Sequence, residues 1–194
     1  MQMPFEGMSL LDYAINSSLV ISNIAIKKED KAGLITFQHK VNTLLPASNR
    51  NMQMQLITKT LYSQKTAYKE ADFSALYSAV KRKITQRSLL LIYTNFETLS
   101  GMERQLPYLK NLAKSHLLVV IFFQNTELDD LLNEPAKKTK AIYNKAIAEK
   151  LAYEKYLIVK ELNNHAIQTI LTKPENLTVN TINKYLELKA RGYI

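Results

Sequence analysis

The 194-residue chain contains no cysteine and no tryptophan. Without thiols there is no disulfide framework, no thiolate metal site and no cysteine nucleophile. Glycine is scarce, with four copies, and neither G-x-G-x-x-G nor G-x-x-x-x-G-K occurs. The usual dinucleotide and P-loop phosphate cradles are therefore excluded. No Gly-x-Ser-x-Gly elbow is present, and no serine has an evident His/Asp arrangement. The three histidines, His39, His116 and His165, stand singly at expected strand edges and read as structural or exposed. Long apolar runs are missing as well. The longest, Leu117–Phe123, is of strand length, far short of the roughly 18–20 residues that span a bilayer. Met1–Met8 is polar and interrupted by Pro4 and Gly7, unlike a signal peptide.

What is present is an ordinary globular composition, 46% hydrophobic and 22% charged. The length suits one well-buried core, and a single domain over residues 1–194 is expected. The net charge of +9 is spread along the chain. Basic residues rarely interleave with aromatics as a base-stacking platform requires, so nucleic acid is not the expected partner. The densest group, Lys137, Lys138, Lys140 and Lys145, opens a predicted long helix and reads as a solvated face. A basic surface for nucleic acid or anionic lipid is the alternative function it offers.

Periodicity places the elements. Ser9 reads as an N-cap with Asp12 three residues on, and an apolar stripe from Leu10 to Ala25 predicts a helix ending near Lys27. Ala32–Gln38 and Lys40–Leu45, stopping at Pro46, predict a hairpin or short antiparallel edge. Helices follow over Asn49–Ser63, with Met52, Leu56, Ile57, Thr60 and Leu61 on one face, and after Asp72, with Phe73, Leu76, Tyr77, Val80 and Ile84 inward. Ser88–Thr94 and Leu117–Phe123 read as central strands covered on both faces. Between them lies a helix from Ser100 to about Ser115, where Pro107 predicts a kink or break. A short acidic helix around Leu128–Asn133 is expected next. Lys137–Asn164 then predicts a long helix with Ile142, Ala146, Ile147, Leu151, Leu157, Ile158 and Leu162 inward. A strand at Ala166–Leu171 and a helix at Val179–Arg191, with Ile182, Tyr185, Leu186 and Leu188 inward, close the chain. This alternation predicts an α/β fold, a mostly parallel sheet with helices on both faces.

Ligands of such sheets bind beyond the carboxyl ends of the strands. The loops expected there are Asp72–Ser74, Thr94–Glu97 and Gln124–Glu127. Asp72 and Ser74 also read as simple N-capping residues. Thr94 and Asn95 offer side-chain oxygens to a cation or a partner. Asp129 and Asp130 are adjacent on a predicted helix, point to different sides of it, and make poor acid/base partners.

Four segments taken together resemble a known family: Gly7–Asn16, Asp30–Phe37, Arg87–Thr94 and the closing Ile182–Gly192. They resemble the carboxyl-terminal half of the domain-of-unknown-function 58 proteins, bacterial von Willebrand A-like proteins associated with MoxR-type AAA+ ATPases. The resemblance implies a three-layer, Rossmann-type fold whose first strand lies between Ala32–Gln38 and Ser88–Thr94. No strand precedes the first helix here, so the domain is expected to be truncated at its amino terminus. Two sheet edges would then face a gap and invite self-association. In complete relatives a metal-ion-dependent adhesion site occupies the carboxyl edge. The resemblance puts Ser74 where its second-loop Thr is expected and Asn95 where its third-loop Asp is expected. Both are neutral, whereas Mg²⁺ prefers at least one carboxylate. The expectation is therefore no cofactor, with Ser74 and Asn95 as weak candidates for Mg²⁺. The implied function is a non-enzymatic protein-interaction module, an adaptor for a MoxR-type ATPase, with Asp72, Ser74, Thr94, Asn95 and Glu97 at the contact. The implied location is cytoplasmic, at the inner membrane face where the parent protein is membrane-tethered.

Overall fold

The computed structural model describes residues 4–5, 7–64, 71–124 and 139–194. The segment before the first helix, expected to carry no strand, instead forms a two-residue antiparallel ladder held by backbone pairing, β1 (Pro4–Phe5) with β2 (Met8–Ser9). It leads into α1 (Leu10–Lys27). The start of α1 is built as its sequence dictates. Ser9 Oγ accepts from the Asp12 backbone at 3.2 Å, and Asp12 accepts from the Ser9 backbone at 2.8 Å, a reciprocal capping box.

The chain continues through β3 (Ala32–Phe37) and β4 (Val41–Ser48), paired antiparallel, then α2 (Gln53–Tyr62) and α3 (Phe73–Lys83). The second hairpin strand does not stop at Pro46 as expected. The register jumps from Leu34 opposite Leu45 to Ala32 opposite Ser48, so Pro46 sits in an irregularity, where a missing N–H costs no ladder bond. Gly33 lies across from it, and a Cβ there would stand 2.8 Å from the Leu45 carbonyl oxygen and 2.9 Å from the Ala47 nitrogen. The buried face of α2 also differs from expectation. Gln53, Ile57 and Leu61 point inward, while Met52 and Leu56 are exposed. Gln53 decides this orientation, since its Nε2 donates to Ala32 O at 2.7 Å and Pro46 O at 2.9 Å, bridging the two hairpin strands.

Next come β5 (Leu89–Tyr93), α4 (Leu99–Ser115), β6 (Leu117–Phe123), α5 (Thr139–Asn164), β7 (Gln168–Thr172) and, after a 3-10 turn at Pro174–Asn176, α6 (Leu177–Ala190). Pro107 does not break α4. The ring removes one backbone bond, and Met102, Leu109 and Leu112, all essentially inaccessible, hold the helix against the sheet. The segment of the expected acidic helix, with Asp129 and Asp130, lies outside the described residues, as do Lys137 and Lys138.

β5, β6 and β7 form a parallel sheet in that order. Alternation along β6 sorts the core into two layers. Leu118, Val120 and Phe122 face α3, α4 and α5, packing with Leu76, Leu109 and Ile158. Val119, Ile121 and Phe123 face α1 and α6, packing with Leu10, Leu177 and Leu188. The chain is thus mixed α/β, with helices on both faces of a parallel sheet. Four inward assignments fail on these two helices. Ile142, Ala146 and Ile147 of α5 are exposed, because among the described residues the burial begins at Ala148 and is completed by Ile158 and Leu162. Leu186 of α6 is exposed, while Thr181 is inaccessible and returns its hydroxyl to Leu177 O at 2.8 Å.

The hairpin and the parallel sheet are separate. No ladder joins β3 to β5 among the described residues. A cavity of about 940 Å³ lies between them, lined by Ala32–Gln38 on one side and Ser88–Tyr93 on the other. α1 covers one face of this slot with Ala14, Ser18 and Ser22, and Leu76 and Val80 of α3 cover the other. Tyr93 crosses to α1, its hydroxyl 3.0 Å from Ser17 Oγ. Burial pushes that phenol above its ordinary value.

Candidate functional site

The expected loops meet at the carboxyl end of β5. Phe73 stacks on Phe96 with ring centroids 5.7 Å apart, and on its other side meets Phe37 edge-on at 5.5 Å. Through these rings the end of β3, the start of α3 and the loop after β5 form one cluster. Asp72, exposed, spends its Oδ1 on the backbone nitrogens of Ser74 at 2.8 Å and Ala75 at 3.0 Å. It is the N-cap of α3. Its own nitrogen donates to Gln38 O at 2.7 Å, tying the helix start to the end of β3. Ser74 is half-buried. Thr94 is buried and its nitrogen continues the ladder to Ile121 O at 2.9 Å. Asn95 is half-buried and Glu97 is exposed. Of the third loop only Gln124 is described, its nitrogen donating to Thr172 O at 2.9 Å.

Two residues that periodicity did not single out organise this edge. Lys155 of α5 donates its Nζ to Asn95 Oδ1 at 3.0 Å and to the Phe96 carbonyl oxygen, and stands 5.6 Å above the Phe122 ring. Glu154, its neighbour, accepts from the Leu99 nitrogen at 3.2 Å, at the first turn of α4. There a carboxylate also meets the positive end of the helix. One turn of α5 therefore grips both ends of the loop Asn95–Thr98. Burial lowers the Lys155 amine to about 8, against the opposing pull of the Glu97 charge. The signal was readable in principle. Leu151, Lys155, Ile158 and Leu162 share one helical face, so a lysine sits on a stripe otherwise apolar.

This bears on the metal reading. The Asn95 oxygen already faces an ammonium, and a second cation beside it would meet repulsion in a poorly solvated place. Among the described residues no three His, Asp or Glu side chains cluster as a metal site.

The remaining charged groups are structural in placement. Asp30 receives Lys189 Nζ at 2.6 Å and the Tyr185 hydroxyl, fastening the end of α1 to α6. Burial alone would raise its pKa, but these hydrogen bonds and the charges of Lys189 and Lys28 hold it below the usual carboxylate range. Burial and the Asp30 contact push the Tyr185 phenol up. His116 is buried with Nδ1 unpartnered, and burial lowers its pKa. His165 is not solitary, since Glu161, one turn earlier on α5, lies 3.1 Å from it. Of the basic group, Lys145 is half-buried on α5. No described helix is long and apolar enough to cross a membrane.

No curated protein matches the chain. A family model described as "Protein of unknown function DUF58" matches residues 9–131. That span runs from the capping serine of α1 to beyond β6 and includes all three loops expected at the carboxyl edge. It covers more than half of the chain, which therefore belongs to the DUF58 family.

Proposed function

We propose that this chain is a non-enzymatic protein-interaction module of von Willebrand A type, an adaptor for a MoxR-type AAA+ ATPase. Its contact surface is the carboxyl edge, with Asp72, Ser74, Thr94, Asn95 and Glu97 at the centre. The observation that supports this reading is the Lys155 grip on Asn95 and Phe96. A loop that meets a partner gains affinity when it is held in place beforehand. Here a half-buried ammonium holds it from below and leaves the Glu97 carboxylate outward. In this reading the ammonium supplies the positive charge at the edge, and binding needs no Mg²⁺ from this chain. The place of action is the cytoplasm, at the inner membrane face when the parent protein is tethered there.

Calorimetry with the MoxR-type ATPase encoded nearest the gene tests this. Binding indifferent to EDTA in the absence of nucleotide is expected, and Asn95→Trp is expected to weaken it at least about tenfold, as loss of a central contact does. Circular dichroism of the variant would show the fold intact. Unchanged affinity on this substitution would remove the surface from consideration.

A further inference from the structure

The net charge of +9 is not shared evenly between the two helical layers. α3, α4 and α5, on one face of the parallel sheet, carry eleven basic and four acidic residues. α1 and α6, on the other face, carry three basic and two acidic ones. Two of the four acids in the first layer are committed locally, Glu154 to the Leu99 nitrogen and Glu161 to His165. One layer is therefore strongly basic and the other close to neutral.

The basic side chains of that layer stand on its outer surface. α4 packs between α3 and α5. Lys81 and Arg82 of α3, Lys110 and Lys114 of α4, and Lys150 and Lys160 of α5 are all exposed. Among the described residues none of the six is ion-paired. Neighbouring helices lie 8–10 Å apart, so three side by side make a face about 30 Å wide. Unpaired like charges over such an area raise a positive potential that only an anionic counterpart relieves.

Apolar groups share the outer surface of α5. Between Lys150 and Lys160, Tyr153 and Tyr156 are 60% and 58% exposed, and their rings stack with centroids 6.2 Å apart. At about 100° per residue Ile142, Tyr153 and Lys160 point the same way, and Ile142 is exposed as well. Single apolar side chains on a surface need no explanation, whereas a row of them marks a contact.

The sign of the charge fixes an anionic occupant, and its layout selects the class. A single nucleic-acid strand is held in a basic groove that tracks its backbone. Here the basic groups are spread over the outer surfaces of three packed helices rather than gathered along one line. A bilayer surface matches that spread. Lysines extend to its headgroups, and tyrosines settle at headgroup level with the ring buried and the hydroxyl in water.

We propose that the outer face of α3, α4 and α5 docks on an anionic lipid surface, with Tyr153 and Tyr156 entering the headgroup layer. Buried apolar area and attraction between lysines and anionic headgroups act together in such binding, each lysine raising affinity roughly fivefold. The residues that carry it are not the Lys137–Lys145 group that sequence density singles out. The carboxyl-edge loops lie at the ends of the strands rather than on this face, and the docking does not depend on the contact proposed for them.

Vesicle sedimentation with the full chain tests this, using phosphatidylcholine alone and phosphatidylcholine containing about one part in three phosphatidylserine, in about 0.1 M salt. Binding to the mixed vesicles and not to phosphatidylcholine alone is expected. Lys110→Glu with Lys160→Glu is expected to weaken it at least about twentyfold. Lys27→Glu with Lys31→Glu, the same change of charge on the α1 side, is expected to weaken it less than about threefold. The chain has no tryptophan, so Tyr153→Trp supplies a single indole whose emission is expected to shift to the blue on the mixed vesicles. No binding to those vesicles, equal losses in the two double variants, or an unshifted emission would each overturn the proposal. Tighter binding to an oligouridylate of about twenty nucleotides, lost on the Lys110 and Lys160 reversal, would assign the face to nucleic acid and equally overturn it.

Discussion

β5 and β6 are neighbouring parallel strands of almost the same apolar composition, yet their surroundings differ. From Leu118 to Phe123 every β6 side chain is essentially inaccessible. In β5 only Ile92 is buried, and Leu89, Leu90, Leu91 and Tyr93 are half-buried. Hydropathy cannot account for this. β6 has a strand on each side, whereas β5 has one on one side and the slot on the other. An apolar run states that a strand belongs in the interior; its neighbours decide whether it is sealed there.

Truncations would sharpen that contrast most. Ile121→Ala in β6 leaves a cavity in close-packed surroundings and is expected to cost about 2–5 kcal/mol. Leu91→Ala in β5 removes a side chain already bordering empty space and should cost about 1 kcal/mol. Urea denaturation of the two variants measures both, and equal losses would mean that β5 is as enclosed as β6.

The same comparison can be made across the two edges of β3. Gly33→Val drives a side chain into the Leu45 and Ala47 backbone and is expected to lower stability by about 1–3 kcal/mol. Thr36→Val removes a buried hydroxyl that has no partner and should raise stability by up to about 1 kcal/mol. A loss at both positions would show that the slot edge of β3 is as tightly engaged as its paired edge.

Lys155, which joins the loop after β5 to the Phe122 ring of β6, gives a pH signature. Its folded-state amine releases its proton near 8, whereas the unfolded chain holds it to about 10.4. Between those values the unfolded state binds more protons, so stability is expected to rise with pH. Thermal melts of Lys155→Met should lose that rise. A rise of the same size in the variant would place its origin elsewhere.

The smallest effect is expected at the Asp30 clamp, which fixes the helix covering the slot. Asp30 has a lowered pKa, so its contribution is present above the ordinary carboxylate value and is lost as pH falls through the lower folded one. At neutral pH, Asp30→Asn should cost no more than about 1 kcal/mol, as befits a partly exposed pair. The difference from wild type should shrink from about pH 4 downward and vanish below the lowered folded value. A difference that persists in acid would contradict an electrostatic role.

Much of this architecture was legible from local pattern. The Ser9–Asp12 box, the run Leu117–Phe123 and the Asp72 cap are each determined within a few residues, and each lies where periodicity and capping chemistry put it. The gap between β3 and β5 was legible through the family resemblance, not from any residue lining it. What escaped depends on distant partners. Gln53 turned α2 by bonding to the hairpin, and Pro46 was tolerated because of a bulge opposite Gly33. Ile142 and Ile147 had helical spacing but no burying partner among the described residues. At the candidate site, the loop residues were found by position after a strand. Lys155 and Glu154 were missed because their partners lie 55 to 60 residues earlier in the chain.

The open edge of β5 is tested most directly by residue-resolved amide exchange on the chain alone. Alternating protection is the expected result: slow exchange at Leu90, Ile92 and Thr94, bonded to β6, and fast exchange at Leu89, Leu91 and Tyr93, facing the slot, with uniform protection from Leu118 to Phe123. Uniform slow exchange across Leu89–Tyr93 in a monomeric sample would contradict it, because both edges of β5 would then be paired.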